Sequence, residues 1–187
     1  MNKTTAIAAV LAVTPGRPVV FTTGYACRVA RHLADRPGHF YMTGSMGLAS
    51  SIGVGLARAT GRPAVVVDGD GAFLMNPVGP LTAGTVPGLP LVHVLLDDGS
   101  YASTGGQATP RADLPALARA CGYHQVMSTV DAAGLRSAVG TALAGGGGPV
   151  FVHAVLAGPD EPVPPRVELD LGGHARGFRE FVVGGRR

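Results

Sequence analysis

The stretch that decides the fold runs from Val65 to Gln107 and reads VVVDGDGAFLMNPVGPLTAGTVPGLPLVHVLLDDGSYASTGGQ. A β-branched run, Val65–Val67, ends in Asp68-Gly69-Asp70-Gly71, and an apolar run, Leu91–Leu96, ends in Asp97-Asp98-Gly99. Such runs are typical of strands buried on both faces of a parallel sheet. Parallel strands end together at one edge, where open α/β sheets bind ligands. We therefore expect these carboxylates and glycines to form one site.

The residue types in this stretch favour a metal–phosphate site. Asp70 offers hard oxygen ligands suited to Mg²⁺ or Ca²⁺, and Mg²⁺ usually binds through one or two carboxylates plus phosphates. Gly69 and Gly71 allow the backbone to approach a bulky anion and point N–H groups at it. Two tight turns with solvated aspartates are the alternative, because Asp-Gly pairs are common turn chemistry.

The spacing resembles the thiamine diphosphate-binding motif, in which Gly-Asp-Gly is followed about two dozen residues later by Asn-Asn. Here 25 residues separate Gly71 from Asp97. The resemblance implies that Mg²⁺ is bound by Asp70, Asp98 and the backbone carbonyl of Ser100. Asp98 stands where the motif has Asn. Its extra negative charge would tighten metal binding but weaken cofactor binding, unless a nearby cation compensates.

Three segments together resemble the diphosphate-binding domain of phosphonopyruvate and sulfopyruvate decarboxylases. They are FYMTGSMGLASSIGVGLA (residues 40–57), GDGAFLMN (69–76) and DDGSYASTGGQ (97–107). In the sulfopyruvate enzymes this domain is often a separate β subunit of about this length. The resemblance covers residues 1–157, which we interpret as the cofactor domain. Residues 158–187 would form a C-terminal extension packed on this domain or on a partner.

The resemblance also assigns roles by position. Met46 would hold the cofactor in its bent form, and the Gly44 carbonyl would accept a hydrogen bond from its 4′-amino group. Both residues are therefore the candidate catalytic residues of this chain. The implied cofactor-binding residues are Gly24, Tyr25, Gly44, Ser45, Met46, Gly69, Asp70, Gly71, Ala72, Asp98, Ser100 and Tyr101. The candidate substrate residues are Ser103, Thr104 and Gln107.

Each of the weaker assignments has a structural alternative. Met46 fits an ordinary core methionine at a helix start. The turn before Tyr25, Thr22-Thr23-Gly24, needs no ligand to form. Ser103 and Thr104 would equally well cap the next helix.

The family needs a carboxylate, normally Glu, against the pyrimidine ring of the cofactor. This chain has only Glu161, Glu168 and Glu180, all in the C-terminal extension. We therefore expect a separate α subunit that carries the pyrimidine-binding domain and the activating Glu, in an α2β2 or higher hetero-oligomer. Cationic groups for the substrate are also expected from that partner.

The implied activity is thiamine diphosphate- and Mg²⁺-dependent decarboxylation of a 3-phosphono- or 3-sulfopyruvate-like 2-oxoacid, which releases CO₂ and an aldehyde. One alternative is a carboligase of acetolactate-synthase type, which passes the enamine to a second carbonyl. Another is a subunit that holds the cofactor without turnover.

Composition excludes several other classes. The chain of 187 residues has a net charge of +3 and no basic run, so its charge pattern does not indicate nucleic-acid binding. The chain has no stretch of about 18 apolar residues, so no membrane span is predicted.

Cys27 and Cys121 are predicted to be reduced core thiols of a cytoplasmic protein. The N-terminus, with Lys3 before AIAAVLAV, is interpreted as a first helix rather than a secretory signal.

Helical and strand patterns alternate along the chain. This alternation predicts an α/β fold with a mostly parallel sheet and helices on both faces. We predict a helix opening at Gly44–Gly47 and running through Ala59. A second helix is predicted to start late within Phe73–Val86, and a short one to form around Phe178–Val182. The six histidines show no metal-binding spacing, and His93 and His153 fit core or edge positions of strands.

Overall fold

The computed structural model describes residues 1–159 and 161–184. A single sheet of six parallel strands, in the order β2-β1-β3-β4-β6-β5, forms its centre. The strands are β1 (Val19–Phe21), β2 (His39–Tyr41), β3 (Ala64–Gly69), β4 (Leu91–Asp97), β5 (Gln125–Thr129) and β6 (Val150–Val155). The predicted α/β class and parallel sheet are therefore confirmed.

Helices cover both faces of this sheet, as predicted. They are α1 (Lys3–Val13), α2 (Tyr25–Leu33), α3 (Ala49–Thr60), α4 (Asp70–Met75), α5 (Val78–Thr85), α6 (Leu114–Ala120), α7 (Ala132–Ala144) and α8 (Leu171–Gly184). One apolar core joins α1, α2 and α7 to the sheet, and a second joins α3, α5 and α6 to the opposite face. Within β3, Val65 and Val67 belong to the first core and Val66 to the second, as strand alternation requires.

Strand order fixes where a ligand can bind. From β1 the chain moves outward to β2, then returns past β1 to β3 and continues to β4 on the other side. The chain therefore reverses direction between β1 and β3, and the residues after these strands splay apart to leave a crevice at the carboxyl edge. Thr22-Thr23-Gly24 follow β1, and Asp70 follows β3.

One helix start differs from prediction, and one short helix was not predicted. The helix expected from Gly44 begins at Ala49, because Ser45 (φ 56°) and Gly47 (φ 90°) have left-handed backbone conformations that no α-helix contains. The helix expected to start late within residues 73–86 is confirmed as α5, which begins at Val78. Helix α4, which begins at Asp70 and ends at Met75, was not predicted.

The C-terminal extension packs against the described domain. The Nε of Arg28 donates to the Pro164 carbonyl at 2.6 Å, and Nη1 of Arg31 donates to the Glu168 carbonyl at 2.8 Å, so this segment runs along α2. Helix α8, longer than the predicted Phe178–Val182, then covers the open edge of the sheet at β2. Asp160 and residues 185–187 lie outside the described residues, and the domain boundary at residue 157 stays a prediction.

Buried polar groups of the core are mostly paired. The Nδ1 of His93 lies 2.7 Å from the Tyr123 hydroxyl, and Nε2 of His153 lies 2.8 Å from Asp97 Oδ2. Cys27 and Cys121 are both buried and free, as predicted. Among residues 1–159 and 161–184, no helix has the length and apolar character needed to cross a membrane.

Candidate functional site

Two adjoining cavities occupy the carboxyl edge of the sheet. The first, about 50 Å³ in volume, lies at the crevice between β1 and β3. The second, about 330 Å³ in volume, lies beside it and shares Thr23, Met46 and Ser103 with the first. Except for Gln107, every predicted cofactor, metal or substrate residue lines at least one of them.

Asp70 is the buried acid of the first cavity. It is 3% exposed, and its Oδ2 accepts a hydrogen bond from the Thr109 hydroxyl at 3.0 Å. Burial raises the pKa of Asp70 to about 6; the Thr109 hydrogen bond opposes this effect, and the negative charge of Asp98 adds to it. A carboxylate so poorly solvated gains strongly from a cation beside it.

Asp98 faces the same cavity, and each of its carboxylate oxygens has a partner within the chain. Its Oδ1 accepts from the backbone N–H of Ser100 at 3.0 Å and from the Ser100 hydroxyl at 3.1 Å. Its Oδ2 lies 2.5 Å from Nζ of Lys3. Lys3 is therefore a cation close enough to compensate the extra negative charge of Asp98. Asp97 is turned instead toward β6, where the hydrogen bond from His153 lowers its pKa.

Two glycines permit close approach of the segments around the cavities. A Cβ on Gly71 would lie 2.6 Å from the ring of Tyr101. Gly24 has φ 94°, and a Cβ there would lie 2.5 Å from the Ser103 hydroxyl. Side chains at either position would therefore displace the loop after β4, which explains the glycines just before α2 and in the first turn of α4.

The segment between β2 and α3 carries Met46 into the site. Ser45 holds a left-handed backbone conformation, which is unfavourable for a residue other than glycine. Asn76 Nδ2 donates to the Gly47 carbonyl at 3.0 Å and ties this segment to the end of α4. Met46 is half-buried, lines both cavities and belongs to neither apolar core, so it is not an ordinary core methionine.

The residues of the first cavity have the chemistry that a Mg²⁺–diphosphate group would need. Among the described residues, the Thr22 hydroxyl is buried without a hydrogen-bond partner, and it lines this cavity. Such a group is normally satisfied by a ligand or water. No cluster of three or more His, Cys, Asp or Glu side chains suited to a metal occurs in the described ranges. The carboxylates of Asp70 and Asp98 fit an ion that completes its coordination with carbonyl and phosphate oxygens.

Two of the three predicted substrate residues line a cavity, and the third does not. Ser103 and Thr104 line the second cavity, and the Thr104 hydroxyl donates to the Tyr101 carbonyl at 3.1 Å. They do not cap the next helix, because Asp113 caps α6 by accepting from Ala116 N–H at 2.9 Å. Gln107 is exposed beside Gly105 and lines neither cavity.

Sequence reasoning missed two arginines of the second cavity. We expected cations only from a partner, but Arg28 and Arg166 both line this cavity. Arg28 lies three residues after Tyr25 on α2, so helical spacing would have placed it near the site. Arg166 lies at this cavity because the C-terminal segment folds back along α2, and no local sequence pattern indicates this path.

No glutamate reaches either cavity within the described ranges. Glu161, Glu168 and Glu180 are all exposed, and all lie in the C-terminal segment. The described part of the chain therefore offers ligands for a diphosphate and a metal, but no Glu for a pyrimidine ring.

The sequence matches known proteins along most of its length. Residues 22–154 match the family described as thiamine pyrophosphate enzyme, C-terminal TPP binding domain. A phosphonopyruvate decarboxylase of Streptomyces viridochromogenes is 44% identical over 88% of this chain and 42% of its own length. The sulfopyruvate decarboxylase subunit beta of Methanothermobacter thermautotrophicus is 40% identical over 81% of this chain and 80% of its own length. The chain therefore spans about two fifths of the phosphonopyruvate enzyme but four fifths of the β subunit.

A solved structure shares the fold. The X-ray structure of a protein from Mycobacterium smegmatis, described as a thiamin diphosphate-dependent enzyme, superposes with a TM-score of 0.68. It is 25% identical in sequence and covers 84% of this chain and 32% of its own.

Proposed function

Because this chain belongs to the thiamine pyrophosphate enzymes, through their C-terminal TPP-binding domain, we propose that it is the diphosphate-binding subunit of a Mg²⁺-dependent 2-oxoacid decarboxylase. Its substrate would be a 3-phosphono- or 3-sulfopyruvate-like acid. The observation that carries the proposal is the meeting of Asp70, Asp98 and the unpaired Thr22 hydroxyl in one crevice.

Each residue has a defined task in this proposal. Asp70, Asp98 and the Ser100 carbonyl bind Mg²⁺, while the backbone N–H groups of Gly71 and Ala72 bind the diphosphate. The Gly44 carbonyl and Met46 orient the ring system of the cofactor. When bound, the cofactor would supply the electron sink for the electron pair that stays behind when CO₂ departs. The reaction is not a redox step, because the former keto carbon gains a proton and leaves as an aldehyde.

The second cavity supports a substrate with an anionic group besides its carboxylate. The guanidinium groups of Arg28 and Arg166 can bind a phosphonate or sulfonate by charge-assisted hydrogen bonds. The hydroxyls of Ser103 and Thr104 line the same cavity and add neutral donors. The names of the relatives, which act on phosphonopyruvate or sulfopyruvate, agree with this chemistry.

A separate α subunit completes the proposed enzyme, in an α2β2 or higher assembly. It would bring the pyrimidine-binding domain and the activating Glu. Four exposed apolar side chains support such a partner: Leu48, Met75, Val78 and Leu81 are 43–63% exposed. They lie on segments joined by the Asn76–Gly47 hydrogen bond, directly beside Met46. The two free cysteines support a cytoplasmic enzyme.

Reconstitution tests the proposal. The chain is mixed with a pyrimidine-domain subunit of a sulfopyruvate decarboxylase, thiamine diphosphate and Mg²⁺, and CO₂ and aldehyde are measured with 3-sulfopyruvate, 3-phosphonopyruvate and pyruvate. We expect turnover of an acid with a second anionic group only when both subunits are present. A 2-hydroxyketone product would favour the carboligase, and cofactor binding without turnover would favour the holding subunit.

Arg166→Gln tests the substrate class separately. The variant should raise the KM for the preferred phosphono or sulfo acid about tenfold, because one charge-assisted contact is lost. Cofactor affinity should be unchanged. Arg176→Gln, on the exposed part of α8, serves as the matched control. Equal KM values for wild type and Arg166→Gln would remove Arg166 from the substrate site.

A further inference from the structure

One ion pair joins the first helix to the loop after β4. The Nζ of Lys3 lies 2.5 Å from Oδ2 of Asp98, although 95 residues separate them in sequence. Their side chains are only 11% and 18% exposed. Exposed ion pairs contribute little to stability, but charges this far from water need close partners. The contact is therefore a specific, largely buried ion pair of the site rather than an incidental surface contact.

The fold holds the lysine in place. Asn2 caps α1 by accepting from Thr5 N–H at 2.8 Å. The Met1 carbonyl accepts from the backbone N–H groups of Ala157 and Gly158 at 3.1 and 3.3 Å, which fastens the start of α1 to the end of β6. Ile7, on the same helix, is completely buried. The Lys3 ammonium thus reaches the crevice from a fixed backbone.

Lys3 also belongs to the cavity itself. It lines the first cavity together with Thr22, Asp70 and Asp98, and its ammonium lies 5.4 Å from the centroid of the Tyr25 ring. It is the only lysine of the chain. Its positive charge therefore acts where a diphosphate would bind.

The charges explain why a cation is needed there. Two ionised aspartates beside a diphosphate repel it, and one Mg²⁺ only partly offsets this repulsion. A neutral asparagine at position 98 would avoid the extra charge. Lys3 and Asp98 together are also neutral as a pair.

We propose that Lys3 is a positioning residue for the diphosphate: it neutralises Asp98, so that the pair does the work of a neutral side chain. This inference rests on the proposed function, because it concerns the same cofactor site. It predicts that Lys3 can be made neutral without loss of pyrophosphate affinity only when Asp98 is made neutral as well.

Binding of inorganic pyrophosphate tests the pair without a partner subunit or turnover. The full-length chain is titrated with pyrophosphate at saturating Mg²⁺ by calorimetry. Lys3→Met should weaken binding about tenfold, because Asp98 is left uncompensated. Lys3→Met/Asp98→Asn should return to within about threefold of wild type, and Lys3→Arg should retain binding. Asp98→Asn alone should bind as tightly as wild type or more tightly, because an unpaired cation then faces the anion.

Controls separate the possible failures. Arg176→Met removes one cation from an exposed ion pair of α8 and should leave the affinity unchanged. Circular dichroism checks that each variant is folded. If wild type binds and Lys3→Met binds equally well, or if the double variant stays as weak as Lys3→Met, the inference is overturned and the proposed function survives. If wild type binds no better than Asp70→Asn, the proposed cofactor site itself fails, and the inference with it.

Discussion

At the scale of single residues, the site depends on positions where glycine leaves room for neighbouring segments. Gly71 follows the buried Asp70, and the Tyr101 ring lies directly over its Cα, with Met46 Cε close by. The first turn of α4, the loop after β4 and the segment between β2 and α3 therefore meet at one glycine. Any side chain there must push at least one of them away.

Gly71→Ala should lower the free energy of unfolding by about 1–3 kcal/mol, the usual range for overpacking a close contact. Chemical denaturation measures this change. Gly55→Ala is the matched control, because Gly55 lies within α3 and a Cβ there would have no neighbour within 4 Å, so alanine should be neutral or stabilising. Gly71→Ala/Tyr101→Ala should recover stability relative to Tyr101→Ala alone; further loss would contradict the proposed clash.

Single residues were predictable from sequence where chemistry and local spacing coincide. Asp70 and Asp98 follow apolar runs that had to be neighbouring strands, so their meeting could be predicted. Thr22 and Lys3 carry no such signal, because a threonine and a lysine are ordinary at a strand end and a helix start. Their roles depend on contacts between distant parts of the chain.

At the scale of secondary structure, β2 is the exposed edge strand that α8 covers. His174 on α8 accepts a hydrogen bond through Nε2 from the Tyr41 N–H at 3.0 Å, where a further strand would otherwise pair. On the inner side of β2, His39 is 1% exposed, with Nδ1 3.0 Å from the Tyr41 hydroxyl. This edge therefore contains a titratable group with almost no access to water.

His39 should make the fold sensitive to mild acid. Burial lowers the pKa of His39 to about 4, with Arg36 adding to this effect and Asp35 and the Ala34 carbonyl opposing it. The unfolded chain binds a proton near pH 6.5 but the folded chain does not, so stability present above pH 6.5 is lost as pH falls toward 4. The expected loss from this group is about 2 kcal/mol at pH 5.

Urea unfolding of wild type and His39→Gln between pH 7 and pH 5 measures this loss. The variant should lose about 2 kcal/mol less than wild type over this range, because it has no proton to gain. His32→Gln, at an exposed position on α2, should follow wild type. Parallel pH curves for wild type and His39→Gln would show that His39 is not the titrating group.

Secondary structure was predictable where hydrophobic runs are long. The buried strands β3 and β4 were both expected from apolar runs. The start of α3 was not predictable, because serine as a residue type does not indicate the left-handed conformation that Ser45 adopts. Likewise, nothing local marks Asp70 as the first residue of a helix.

At the scale of the whole molecule, the proposed partner surface can be tested without touching the metal site. Val78 is 63% exposed at the start of α5. Val78→Asp should weaken association with the pyrimidine-domain subunit at least tenfold, because a charge would be buried against apolar surface. Analytical ultracentrifugation of the mixture measures the association.

The control substitution is Leu171→Asp, which places the same charge at an exposed leucine of α8. This variant should associate like wild type, and both variants should bind Mg²⁺ and pyrophosphate normally. Association of Val78→Asp at wild-type strength would place the interface elsewhere on the chain.

The coverage of β2 by α8 has a practical consequence for anyone who shortens this protein. A polypeptide trimmed after residue 157, close to where the family match ends, would lose α8 and leave the N–H and C=O groups of β2 open to other molecules. Uncovered edges of this kind recruit strands from neighbouring copies. The trimmed polypeptide should therefore form soluble aggregates or fibrils on concentration, and light scattering beside the full-length chain would reveal them.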